Sequence, residues 1–129
     1  MTEFLETAPS ARQHNPLLRA AHPDWTADHR RRVNRAFHHS CWSACAFVDG
    51  ILAGTIRVVH DDVSFGVIAD LLVHPQYRHQ GIASVLVRMA RVAHSDFYLY
   101  ADPQSEGLKP FYEQADFSVR PVWRCEPEA

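Results

Sequence analysis

Residues 74–86, HPQYRHQGIASVL, hold the chemistry that is easiest to read in this chain. An apolar run ends at Val73, a basic-polar turn follows (Arg78-His79-Gln80), and one of only five glycines, Gly81, stands where an apolar helical pattern begins. A strand, a tight turn and a helix opened by small residues can make an anion site. The first amides of a helix lack carbonyl partners, and the helix dipole adds about half a positive charge there. Gly81 and Ala83 keep side chains away from those amides, and the Arg78 guanidinium can add a charged hydrogen bond. The same glycine could equally do no more than turn the chain, and spacing leaves the two readings level. The stretch matches neither G-x-G-x-x-G nor G-x-x-x-x-G-K-[ST], which excludes those two phosphate motifs.

Other reactive side chains are less organised. Asp70 is the acid in an otherwise apolar run, VIADLLV (67–73). It reads either as an anchor or base for an ammonium group, or as an acid on the solvated side of a sheet. Cys41, Cys45 and Cys125 are odd in number and lack C-x-x-C spacing, so neither a disulfide framework nor a zinc knuckle is expected. Cys41 and Cys45 lie in an apolar stretch and read as small buried hydrophobes. The nine histidines form no H-x-x-x-H or H-E-x-x-H pattern, and no metal is expected.

The elements that must position these groups follow from periodicity. Residues 1–15 show no clear period. Asn15-Pro16 opens a short apolar piece that His22-Pro23-Asp24 interrupts. Thr26 is an N-cap for a helix over 27–38, with Asp28 at its positive end and Val33, Ala36 and Phe37 as its apolar stripe. CWSACAFV (41–48) and ILAGTIRVV (51–59) are strands joined by Asp49-Gly50, a strong hairpin signal. Asp61-Asp62 turns the chain again into a strand over 63–73. Gly54 and Gly66 within these strands signal bulges or close backbone approaches. A helix follows over 82–94, then a buried strand, DFYLYA (96–101), expected parallel to 63–73. SEGLKPFYEQA (105–115) reads as a helix and FSVRPVW (117–123) as a closing edge strand. Trp25, Trp42, Phe47 and Phe65 read as core. The fold class is α/β: an antiparallel meander, then a βαβ unit, in one twisted mixed sheet flanked by helices.

At 129 residues the chain is expected to form one domain, 1–129. A net charge of −2 argues against a nucleic-acid partner, and Arg30-Arg31-Arg32 reads as a solvated helix face. No apolar run reaches membrane-span length and the N-terminus does not resemble a signal peptide, so a cytoplasmic protein is expected.

Residues 71–83, LLVHPQYRHQGIA, resemble the acetyl-CoA signature of the GNAT superfamily of N-acetyltransferases: an apolar strand, V-x-P-x-[YF], then [QR]-x-x-G-x-[GA]. Val73, Pro75, Tyr77, Arg78, Gly81 and Ala83 carry the match. PFYEQADF (110–117) is similar to that family's F-Y-E-x-x-G-F. The order of elements over 41–120 agrees. Departures are His79 after the arginine, Ala83 in place of glycine, Asp116 before Phe117, and Ser105 where many members have asparagine. The usual first strand is expected to be reduced or absent.

The resemblance implies acetyl-CoA as co-substrate and direct attack by a primary amine, on a small molecule or a peptide. Arg78, His79, Gln80, Gly81, Ile82, Ala83 and Ser84 would hold the pyrophosphate, and Ser105 would contact the cofactor. Leu72 and Val73, where the fourth strand splays from strand 96–101, would bond the pantetheine and face the acetyl carbonyl. Tyr112 would protonate the leaving thiolate. Asp70 is the candidate base, since an amine of pKa near 10.4 is only about 0.1% neutral at pH 7. The chain's mild acidity favours a cationic amine acceptor, and a C-terminal edge strand allows a homodimer. A non-catalytic acyl-CoA-binding module on the same fold is the alternative.

Overall fold

The computed structural model describes residues 1–101, 108–120, 122 and 124–127. Five strands form one sheet in the order β1-β2-β3-β4-β5: β1 Thr2–Leu5, β2 Trp42–Val48, β3 Ile51–His60, β4 Phe65–Val73 and β5 Tyr98–Ala101. The first four pair antiparallel and β4 pairs parallel with β5. Helices α1 Ala11–Ala21 and α2 Ala27–His38 cover one face; α3 Ile82–Ala93 and α4 Lys109–Gln114 cover the other.

The hairpin turns form for the reasons their residues give. Asp49 and Gly50 both take left-handed backbone angles, φ 49° and 83°, which matches the twist of the flanking strands. The Asp61 carboxylate accepts from the amides of Val63, Ser64 and Phe65, and these three bonds hold its pKa down at about 2. Thr26 caps α2 as expected, its hydroxyl accepting from His29 N–H at 3.0 Å.

Three expectations fail toward the chain's ends. A first strand is present, with Leu5 opposite Cys45 and Thr2 opposite Val48. The piece expected to begin at Asn15-Pro16 is instead the middle of α1. Ser10 and Gln13 form a reciprocal capping box that starts the helix earlier, and burial of Leu17 and Leu18 offsets the bond that Pro16 cannot make. At the other end, no described residue of 117–123 is in a strand. Val119 is 92% exposed, and β5 is the last strand among the described residues.

Two cores result. Ile56, Val58, Ile68, Leu71, Leu86 and Val87 fill the space between the sheet and α3; Leu17, Leu18, Phe37, Cys45 and Leu72 fill that between the sheet and α1–α2. Cys45 is buried, and burial pushes its thiol up to about 12. Cys41, expected to be buried, is exposed, one residue before β2 begins.

Candidate active site

Among the described residues the last β4–β5 partners are Ile68 and Ala101, and Ala69–Val73 have no β5 partner there. A bulge follows Ile68. Arg57 faces Asp70 and Val58 faces Ile68, which leaves Ala69 as an extra residue in β4. Simple alternation from Ile68, which lies in the α3 core, would send Asp70 into that same core. The bulge shifts the phase, so Asp70 and Leu72 face α1–α2 while Leu71 returns to the α3 side.

Backbone direction at the strand end follows from one bond. His74 N–H donates to Ala53 O at 2.7 Å, so His74 and Leu72 turn their backbone groups toward β3. By alternation Leu71 and Val73 turn theirs toward the opposite side of β4, away from β3. Of the two amides implied by the resemblance, Val73's therefore points to that side and Leu72's does not.

Beside this edge lies the turn into α3. Pro75–Tyr77 form a 3₁₀ turn, and His74 Nδ1 accepts from Gln76 N–H at 3.1 Å. His79 takes φ 65° and Gly81 φ 80°. The histidine thus adopts the left-handed conformation that glycine tolerates best, which explains why glycine suits this position. Gly81 is the N-cap of α3 and supplies no side-chain bond to the helix amides. A Cβ on Gly81 would meet no protein atom within 4 Å. Ile82 and Ala83 bury their side chains in the core, so only their amides are left to face outward; Arg78, His79, Gln80 and Gly81 are exposed and Ser84 is half-buried. Gly54 brings this helix start onto the sheet: a Cβ there would stand 2.8 Å from Ile82 Cγ2.

Tyr112 is buried on α4 against the α3 core. Its ring meets Phe117 edge-on at 5.4 Å. The helix closes with Phe117 N–H on Tyr112 O and Asp116 N–H on Glu113 O, and Asp116 sits at φ 68°. That is a Schellman ending with aspartate in the left-handed position where glycine is favoured. The helix expected over 105–115 begins at Lys109 in the described part, and Ser105 lies outside the described residues.

On the α2 side Asp70 is 8% exposed, which overturns its placement on a solvated face. Arg57 Nε donates to Asp70 Oδ2, and the guanidinium lies 5.9 Å from the Phe37 ring centre. Above this pair is a cavity of about 340 Å³ walled by Trp25, His29, Arg32, Val33, Ala36 and Ala69. Trp25, expected in the core, is a cavity wall, and Phe65, also expected there, is 47% exposed. Of the cavity's basic residues only Arg32 was named from the sequence, in a run read as a solvated helix face, and His29 and Arg57 were not singled out. The available signal was a single arginine and a single aspartate, Arg57 and Asp70, each within one of two adjacent apolar strands.

Residues 4–117 match the family model described as Acetyltransferase (GNAT) family. The chain belongs to this family. As a GNAT N-acetyltransferase it shares its fold with a GNAT-family acetyltransferase from Streptococcus pneumoniae TIGR4 (23% identity, 98% of this chain and 100% of that one, TM-score 0.78). It is also similar to a ribosomal-protein-alanine N-acetyltransferase from Brucella melitensis biovar Abortus 2308 (19% identity, 100% and 99% covered, TM-score 0.68). A third similar structure is AAC(6')-Iy in complex with a bisubstrate analogue, CoA-S-monomethyl-acetylneamine (13% identity, 98% and 99% covered, TM-score 0.72). None of the curated proteins matches the chain. The GNAT fold binds CoA or acetyl-CoA, and among the described residues no cluster of His, Cys, Asp and Glu is arranged to hold a metal. No helix among them is long and apolar enough to cross a membrane.

Proposed function

We propose that this GNAT enzyme, acting as one cytoplasmic domain over 1–129, moves the acetyl group of acetyl-CoA directly to a primary amine. The observation that carries the reading is a helix start that no side chain caps, beside the end of β4, where Val73 turns its amide away from β3. The amides of Ile82, Ala83 and Ser84, with Arg78, His79, Gln80 and Gly81, cradle the pyrophosphate. The Leu72–Val73 strand end lies along the pantetheine, and the Val73 amide stabilises charge developing on the acetyl oxygen. The amine attacks the carbonyl carbon, the C–S bond breaks, and Tyr112 gives its phenolic proton to the departing thiolate. Asp70, at the base of the cavity, orients the substrate ammonium and receives its proton directly or through water, which leaves the neutral amine to attack. Cys45 is no candidate for an acetyl-enzyme, because its thiol is buried and its pKa is raised.

Calorimetric titration with acetyl-CoA tests the cradle. Gly81→Val puts a side chain into space that no protein atom fills, so the variant should bind acetyl-CoA at least about tenfold more weakly, roughly 1.4 kcal/mol. Gly81→Ala is the milder companion, since a left-handed residue with a Cβ costs about 1–2 kcal/mol of stability. Unchanged affinity in folded variants would remove the loop from cofactor binding.

A further inference from the structure

The cavity over Asp70 has a charge balance opposite to that of the chain as a whole. We propose that Arg32, with His29, selects acceptor amines that also carry an anionic group, a carboxylate or a phosphate. This rests on the acetyltransferase reading and names the substrate class of that same site.

Among the cavity-lining residues Asp70 is the sole acid, and Arg57 already donates to it. That pair cancels, and Arg32 is left as net positive charge. The rest of the basic run is engaged elsewhere: Arg30 donates to Trp25 O at 2.8 Å, and Arg31 pairs with Asp28 at 3.0 Å. No described carboxylate lies within 4 Å of the Arg32 guanidinium. His29 lies three residues before Arg32 on the same face of α2. Its ring meets Trp25 edge-on at 4.4 Å, and His22 stacks on Trp25 at 4.0 Å. The cavity therefore offers a fixed aromatic wall, cationic groups from α2, and an acid two residues beyond the last β4–β5 pair.

A molecule with both an ammonium and an anionic group satisfies this arrangement: the ammonium turns to Asp70 and the anion to Arg32. A polyamine would instead bring a second positive charge against Arg32. The net charge of −2 pointed toward a plain cationic acceptor, and the local charges point the other way. A volume of about 340 Å³ suits a molecule the size of an amino acid.

The test compares matched acceptors that differ in one charge: phenylalanine against phenylalaninamide, and phosphoethanolamine against ethanolamine. Initial rates are measured for the wild type, Arg32→Gln and Arg32→Lys. Arg32 is exposed, so these changes do not touch the core. The kcat/KM ratio of the anionic to the neutral member should fall about tenfold in Arg32→Gln, chiefly through KM, and recover in part in Arg32→Lys. A response confined to one pair identifies the anion as carboxylate or as phosphate. An unchanged ratio in both pairs overturns the proposal. The same site is read without turnover by titrating N-acetylphenylalanine and its amide. Binding that needs the carboxylate and is lost in Arg32→Gln supports the proposal even without acetyl transfer; equal binding of the two counts against it, as does binding of neither when the phosphoethanolamine pair has not responded either. Titration with acetyl-CoA reports separately on the acetyltransferase reading.

Discussion

Single residues here do work that their neighbours make available. Tyr112 has its ring in the α3 core, and the Schellman ending holds Phe117 against it. A phenol, with an ordinary pKa near 10, keeps its proton at neutral pH and can pass it to a thiolate. Tyr112→Phe keeps the ring and its packing but removes the donor. It should lower kcat by about 10²–10⁴ and leave acetyl-CoA affinity nearly unchanged. A kcat within about twofold of wild type, with chemistry shown to be rate-limiting, would assign Tyr112 to packing alone. Two of the left-handed non-glycine residues, His79 and Asp116, mark departures from the family motif, and both keep the backbone geometry that glycine would supply.

At the scale of elements, the close approach of α3 to β3 sets where the first turn of α3 lies. Gly54 sits opposite Val73 in the sheet and beneath Ile82 and Leu86. An added Cβ would lie 2.8 Å from Ile82 Cγ2 and 3.2 Å from Leu72 O, and the backbone oxygen cannot rotate away. Gly54→Ala should therefore cost about 1–3 kcal/mol of stability and lift the first turn of α3 from the sheet. Acetyl-CoA affinity should fall with it, although residue 54 touches no ligand in this reading. Urea denaturation and calorimetry on the same sample check both effects. A stability loss with full affinity would show that α3 does not need this contact to place its amides.

Across the whole molecule, one buried polar network ties the α1–α2 layer to the sheet. His14 on α1 donates from Nδ1 to Asn34 Oδ1 on α2 at 3.0 Å, and its Nε2 meets the Thr55 hydroxyl on β3 at 3.3 Å. Asn34 Nδ2 donates in turn to Asn15 at 2.9 Å. Burial lowers the His14 pKa from 6.5 to about 4, although the bond to Asn34 pulls it upward. Between those values the unfolded chain takes a proton that the folded one refuses, so stability rises with pH there. The contribution is complete above about pH 6.5 and declines as the pH falls, by about 3 kcal/mol at pH 4. Denaturation midpoints across this range should drop steeply in wild type and less so in His14→Gln, whose side chain does not titrate. Equal slopes would exclude His14 as the source.

Local signals in the chain were enough for α2, the two hairpin turns, α3 and the parallel β5, because caps, turn residues and periodicity act over a few neighbours. They were also enough for the loop from Arg78 to Ser84, since a motif on consecutive residues needs no partner from elsewhere. What tertiary structure alone decided involves residues far apart in sequence. Strand β1 exists because β2 offers an edge 40 or more positions away, and α1 runs through Pro16 because Leu17 and Leu18 are buried. Asp70 had two readings in the sequence. An extra residue in β4 turned it inward, where Arg57 meets it under α2. The charge of the cavity over Asp70 is set in the same way, by which of three consecutive arginines finds a partner, and only the packed α2 determines that.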